Sequence, residues 1–269
     1  MPYRQTISEA YDAGVEEEYN RLTETPLREA EFQLITELLD EYIPNGSAIV
    51  DIGSGPGRYA EHLLKRNCKV GVVDLSSKSL KAFSDRMENS HCQSNIIFNQ
   101  VSCATQLDWI ADHSADAILL MGPLYHLIDE AHRTVALAHC SRILKPGGYL
   151  FSVFLSRFPV STPQTVKTPK DLFSGNNPIT HTTFKGFQVP QFRCWPNEAK
   201  SIMSENRFET IRIRNIEGIA SFLPDSHWEG SWTEQKKKEL LHSLLQTCET
   251  PNLLGKTHQF ICVAQARSA

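Results

Sequence analysis

The segment that most limits the fold is Val50-Asp51-Ile52-Gly53-Ser54-Gly55-Pro56-Gly57. It leaves a short apolar run, Ala48 to Ile52, that reads as a buried parallel strand. It enters Arg58 to Asn67, which reads as a helix. Glycines there permit a sharp strand-to-helix turn and let a ligand approach the backbone, while the helix behind offers free N–H groups. In a doubly wound sheet such a turn lies at the carboxyl edge, where nucleotides bind. The alternative is a tight turn that holds no ligand.

The surrounding pattern supports an α/β fold. Thr25-Pro26 reads as an N-cap with proline at the first helical position, and apolar residues recur at Leu27, Ala30, Leu34, Leu38 and Tyr42. Pro44-Asn45-Gly46 ends that helix. Val70 to Leu75 reads as strand, Lys78 to Glu88 as helix, and Ile96 to Val101 and Ala117 to Met121 as strands. Leu127 to Leu144 reads as one long helix stopped by Lys145-Pro146-Gly147-Gly148, and Tyr149 to Leu155 as strand. Strands separated by helices require crossovers, hence a doubly wound, mostly parallel sheet. Residues 157–196 are rich in Pro, Gly, Thr and Ser, too long for an ordinary connection, and read as a lid. Pro196 to Asn206 then reads as helix, Phe208 to Ile213 as strand, Thr233 to Cys248 as a polar helix and His258 to Ala266 as the last strand.

Composition sets bounds. The chain has 269 residues, enough for one large α/β domain with an inserted cap, and is 41% hydrophobic and 22% charged. The formal net charge of −4 argues against a nucleic-acid partner, since phosphate binding wants a basic surface. The run Lys236 to Lys238 reads as a solvated helix face. The seven cysteines, at 68, 92, 103, 140, 194, 248 and 262, form no C-x-x-C pair. Neither a disulfide framework nor a metal site is expected, and reduced thiols in a cytoplasmic protein are the simpler reading. The first residues lack the apolar stretch of a secretory signal, and no apolar run is long enough to span a bilayer.

Two features sharpen the glycine turn. Val70-Gly71-Val72-Val73-Asp74 ends in an acid placed where a carboxylate can bind both ribose hydroxyls, though a helix cap or plain loop carboxylate is the alternative. The glycine spacing is G-x-G-x-G rather than the dinucleotide pattern G-x-G-x-x-G, and no GxxxxGK[ST] phosphate loop occurs. That spacing suits a ligand without a pyrophosphate.

The segment 50–57 resembles the first motif of class I S-adenosylmethionine-dependent methyltransferases. Val73-Asp74-Leu75-Ser76 resembles their ribose-binding segment, and Ile143-Leu144-Lys145-Pro146-Gly147-Gly148 the turn before their fifth strand. Ala115 to Leu127, with Gly122-Pro123-Leu124-Tyr125-His126, resembles the fourth-strand motif of a small-molecule subgroup. The resemblance covers residues 40–155, and more loosely Tyr11 to Leu22 and the last two strands.

It implies a Rossmann-like, seven-stranded sheet with an N-terminal helical lid and inserted cap segments. Residues 1–156 would form the lid and the S-adenosylmethionine-binding core, 157–207 a variable substrate segment, and 208–269 the final strands with a substrate-side insertion at 218–257. Gly53, Ser54 and Gly55 would pass under the methionine part of the cofactor, with Asp51 holding the loop or the ammonium. Asp74 would bind the ribose and Leu75 pack on the adenine. Family members often place an acid after the third strand, whereas Cys103 stands here, so adenine recognition would fall to backbone at Cys103 and Ala104. Met121 and Gly122 would border the methionine end. Tyr125 and His126 are candidate catalytic residues, as base or substrate-positioning groups, or else they cap and pack the next helix. On the N-terminal helix, Tyr11, Tyr19 or Arg21 would reach the cofactor if that helix is a lid rather than a plain surface helix. Phe184, Phe187, Phe192, Trp195, Phe222, Trp228 and Trp232 would line an acceptor pocket or simply fill the core. The expected partner is a small-molecule methyl acceptor. The rivals are an RNA or protein methyltransferase and a non-catalytic cofactor-binding relative.

Overall fold

A computed structural model describes residues 3–158 and 178–267 of the chain. Two short helices open it, α1 (Arg4–Ala13) and α2 (Val15–Asn20), followed by α3 (Pro26–Tyr42). Thr25 caps α3 by accepting from the Arg28 amide at 3.3 Å, and Pro26 fills the first helical position. Then come β1 (Ala48–Ile52), α4 (Arg58–Lys65), β2 (Lys69–Asp74), α5 (Ser77–Met87), β3 (Ile96–Val101) and β4 (Ala115–Leu120). Next are α6 (Pro123–His126), α7 (Glu130–Ile143), β5 (Leu144–Ser156), β6 (Ile179–Phe184), β7 (Phe187–Cys194) and α8 (Pro196–Glu205). The chain closes with β8 (Phe208–Asn215), α9 (Glu234–Thr247) and β9 (Gln259–Ala266).

The strands run in the order β3-β2-β1-β4-β5, all parallel, and β9 then pairs antiparallel with both β5 and β8. These seven strands are the expected core sheet, but β7 pairs parallel with the end of β5 at Leu155 and Ser156, so that β7 and β6 extend it to nine strands. Its residues alternate between two buried layers, as the two-residue period of a strand requires. Ile49, Val70, Val72, Leu119 and Val263 face the layer under α3, α4 and α5, while Val50, Val73, Ile118, Leu120 and Cys262 face the layer under α7 and α8. Both faces are covered, so the strands read in sequence as continuous apolar runs.

Besides β5 starting at Leu144, so that Lys145 to Gly148 are strand rather than the expected turn, two elements differ from the sequence expectation. Residues 127–144 are not one helix. The single turn α6 stops at His126, Leu127 and Asp129 leave helical geometry, and α7 starts at Glu130. Arg133 holds this break, donating to the carbonyls of Leu127 at 2.7 Å and Ile128 at 2.9 Å. Second, the segment 157–196 contains a regular hairpin, β6–β7, joined by Lys185 and Gly186 with φ of 50° and 82°. Positive φ at both positions is the turn geometry that matches strand twist. The remainder of that segment, 159–177, lies outside the described residues. Among the described residues, no helix is long and apolar enough to cross a membrane.

Candidate functional site

The carboxyl ends of β1, β2 and β4 open into a cavity of about 1120 Å³, its mouth included, roofed by α1 and α2. The glycine turn forms its floor. The amides of Gly53 and Ser54 both donate to the Val73 carbonyl, at 2.7 and 3.2 Å, which ties the turn to the end of β2. The three glycines serve different ends. A Cβ on Gly53 would strike Pro123 at 2.5 Å and one on Gly57 would strike Phe83 at 2.2 Å, so both serve packing. A Cβ on Gly55 would meet only Glu18 Cγ, at 3.9 Å across the cleft. Gly55 is therefore the glycine that keeps the cavity open.

Two carboxylates share this floor. Asp74 accepts from the amides of Gly55 and Ser76, each at 2.7 Å. Burial nevertheless raises it to about 6, against the lowering by those amides. Asp51 is 3% exposed. Burial first, and the Asp74 charge second, push it up to about 8. No cationic side chain among the described residues offsets that rise. A buried carboxylate so placed favours a cationic ligand.

The roof is pinned at many points. Ser8 Oγ donates to the Leu75 carbonyl at 3.0 Å, and Asp12 accepts from Ser76 Oγ at 2.6 Å. Val189 of β7 packs against Ile7 and Ala10, Phe184 packs on Tyr11, and Lys185 pairs with Glu17. The hairpin absent from the sequence reading is thus the seat of α1. Arg21 donates to Glu18 at 3.1 Å and to buried Glu31 at 3.0 Å, while Arg28 bridges Glu31 at 2.6 Å and Glu217 at 3.1 Å. Burial alone would raise Glu31, but the two arginines hold it below the ordinary carboxylate range.

His126 is buried beneath α1. Its Nδ1 lies 3.2 Å from the Pro190 carbonyl, which can only accept, so Nδ1 carries the proton. Nε2 then accepts from the Tyr11 hydroxyl at 2.9 Å. Burial lowers the ring to about 4, so it is neutral across the physiological range. Tyr125 is pushed up to about 12, chiefly by burial and then by the Glu18 charge.

Of the residues singled out from sequence, Tyr11, Arg21, Asp51, Gly53, Ser54, Gly55, Asp74, Leu75, Cys103, Ala104, Met121, Gly122, Tyr125 and His126 line this one cavity. Tyr19 does not. Its ring lies between the guanidinium groups of Arg58 and Arg86, 4.3 and 3.7 Å from the centroid, and its hydroxyl donates to Glu61 at 3.1 Å. Ile7, Glu18, Leu22 and Tyr59 also line the cavity and went unnoticed in the sequence. None of the variable-region aromatics does. Phe192 stacks under Arg133, Trp228 and Trp232 pack on each other, and Phe222 meets Phe158.

Residues 49–148 match the family model of a methyltransferase domain. The ubiquinone biosynthesis O-methyltransferase of Thiobacillus denitrificans is 32% identical over 114 residues, 42% of this chain and 46% of that protein. The chain thus spans about half the length of the curated relatives it matches. Among solved structures, a SAM-dependent methyltransferase of Methanosarcina mazei aligns with a TM-score of 0.60 at 17% identity, covering 86% of this chain and 98% of that one. The 1,6-didemethyltoxoflavin-N1-methyltransferase of Burkholderia thailandensis, with bound S-adenosylhomocysteine, aligns with a TM-score of 0.59 at 15% identity over 99% and 90%. The chain therefore has the class I methyltransferase fold, and its residues 49–148 carry the sequence pattern of a methyltransferase domain.

Proposed function

We propose that this protein is an S-adenosylmethionine-dependent methyltransferase acting on a small molecule. The observation that carries the reading is the pair of carboxylates, buried Asp51 and half-buried Asp74, facing one cleft beside an open glycine turn. A ligand with an ammonium, a sulfonium and a ribose answers each of these groups. S-adenosylmethionine, when bound, supplies an already activated methyl group. Asp51 and the Gly53–Gly55 backbone would hold its ammonium end. Asp74 retains lone pairs for ribose hydroxyls beyond the two amides it already accepts. Leu75, Cys103 and Ala104 would flank the adenine, and Met121 and Gly122 the methyl-bearing end.

The chain's own contribution is then placement and exclusion of water. Displacement on an activated methyl depends strongly on alignment of acceptor and donor. The lid closes the cleft, and Tyr11, Tyr59, Tyr125 and Leu22 wall it with rings and one aliphatic group. Such a chamber suits a small acceptor with an aromatic or apolar body. The names of the relatives, in ubiquinone biosynthesis and on 1,6-didemethyltoxoflavin, agree with that class. Tyr125 and His126 of the Gly122-Pro123-Leu124-Tyr125-His126 segment act as positioning groups in this reading. The imidazole's one lone pair is engaged by Tyr11 and is not free for a substrate proton. The seven cysteines are all buried and unpaired, which suits a reducing cytoplasm.

The test offers labelled S-adenosylmethionine together with a small-molecule extract, RNA and protein in separate reactions. Label in a small-molecule product supports the proposal. Label only in RNA or protein assigns another acceptor. Cofactor binding without transfer in any reaction identifies a non-catalytic relative.

A further inference from the structure

A second cavity, of about 750 Å³ with its mouth included, lies between the start of α3 and residues 218–229. Its lining shares no residue with the cleft over the glycine turn. His258, in that lining, precedes β9, and its carbonyl accepts from the Ser156 amide at the end of β5 at 2.9 Å. The cavity therefore opens at the carboxyl edge of the sheet. Glu31 ties the two linings together, taking Arg21 of the first at 3.0 Å and Arg28 of the second at 2.6 Å.

The polar groups of this cavity are unevenly committed. Arg28 is the cationic side chain of the lining, and it already serves Glu31 and Glu217, at 2.6 and 3.1 Å, both 2% exposed. His258 is neutral, because burial first, and then the charges of Arg28 and Arg193, lower it to about 4. One ring nitrogen hydrogen-bonds the Ser221 backbone, and the other has no partner among the described residues. Asp225 and Glu229 are exposed and form no ion pair among the described residues. Leu27, Leu223 and buried Trp228 supply the apolar wall, with Trp232 behind Trp228 at a ring distance of 5.6 Å. An anion would find its guanidinium taken by two carboxylates. A cation finds an imidazole lone pair, two unpaired carboxylates and an indole ring.

We infer that this cavity binds a small organic molecule bearing a primary ammonium, held by Asp225, Glu229 and the unengaged nitrogen of His258, with its apolar body against Trp228 and Leu223. The site stands apart from the cleft described above and does not rest on reading that cleft as a cofactor site.

The test titrates three probes of one shape and different charge, phenethylamine, phenethyl alcohol and hydrocinnamate, into nitrogen-labelled protein. The indole N–H signal of Trp228, assigned by its loss in Trp228→Phe, reports binding. Phenethylamine should bind tenfold or more tighter than either of the others and should shift that signal. Asp225→Asn, a change at an exposed side chain, should weaken phenethylamine fivefold or more and leave phenethyl alcohol within twofold. His258→Gln should weaken phenethylamine likewise. Asp108→Asn, a distant exposed acid, should change nothing. Saturating S-adenosylhomocysteine should leave the amine's affinity within threefold. Equal binding of the three probes, no shift of Trp228, indifference to Asp225→Asn, or competition by S-adenosylhomocysteine would each overturn the inference. A protein that takes the amine but no S-adenosylhomocysteine would overturn the cofactor reading and leave this site standing.

Discussion

Binding of S-adenosylhomocysteine should weaken steeply as pH falls from about 7.5 to about 6, and Asp51 should be the cause. In the free protein burial raises Asp51 to about 8. A ligand ammonium that needs the carboxylate ionised must expel its proton below that value. The weakening factor is 1 + 10^(pKa − pH), about 100 at pH 6 and about 4 at pH 7.5, so affinity should drop about 25-fold over this window. Asp74, raised to about 6, adds a further factor of about two over the same window. The ligand's own α-amino group, with a pKa near ~8, stays mostly protonated throughout. Calorimetry at both pH values reads the ratio directly. Methylthioadenosine, which lacks the ammonium, should change only about twofold through Asp74. Asp51→Asn should bind S-adenosylhomocysteine weakly with almost no pH dependence. The stability consequence has the opposite sense. The folded pKa of Asp51 lies above its unfolded value, so its contribution to stability is fully present below the unfolded value and is lost as pH rises toward 8. Without ligand, Asp51→Asn should therefore melt several degrees above wild type at about pH 8. Affinity that is flat between the two pH values, or a pH dependence that survives Asp51→Asn, would refute the reasoning.

Other consequences are equally concrete. Asp74→Ala should weaken S-adenosylhomocysteine and methylthioadenosine alike by about 1.5–3 kcal/mol, the scale of charge-assisted hydrogen bonds, and calorimetry on the two ligands checks it. Gly55→Ala and Gly57→Ala should separate binding from folding. The first costs about 1–2 kcal/mol of backbone strain and blocks the cleft, whereas the second drives a Cβ to 2.2 Å from Phe83 and should lower the melting temperature far more. His126→Gln should reduce turnover less than about tenfold and leave the pH–rate profile unchanged above about pH 5.5, because the native ring, lowered to about 4, is already neutral there. A loss of a hundredfold together with a vanished acidic limb would instead make the imidazole a base.

The sequence reveals the sheet because its strands are buried on both faces and announce themselves as apolar runs, as at Ala48–Ile52 and Lys69–Asp74. The floor of the cleft was legible for a related reason. Gly55 and Asp74 sit at fixed offsets from a strand end, and that geometry is local. The break at Leu127–Asp129 was not legible, since it is held by Arg133 reaching back to two carbonyls, a contact no periodicity encodes. The β6–β7 hairpin left a signal that could have been read, Lys185-Gly186 between alternating runs, but the surrounding Pro and Thr masked it. The roof is the least legible part. Tyr11 was among the candidates the sequence offered, but what brings it into the cavity is the packing of α1 on Val189 and the Tyr11–His126 hydrogen bond, contacts between residues more than a hundred positions apart. Tyr19, equally prominent in sequence, faces the other way because Arg58 and Arg86 capture its ring.

The most direct test of the central claim is a paired calorimetric titration of the protein with S-adenosylmethionine and with NAD under identical conditions. The account predicts saturable one-site binding of S-adenosylmethionine, competed by S-adenosylhomocysteine and weakened by Asp74→Ala, with no heat from NAD. Binding of NAD in place of S-adenosylmethionine, or of neither, would contradict it.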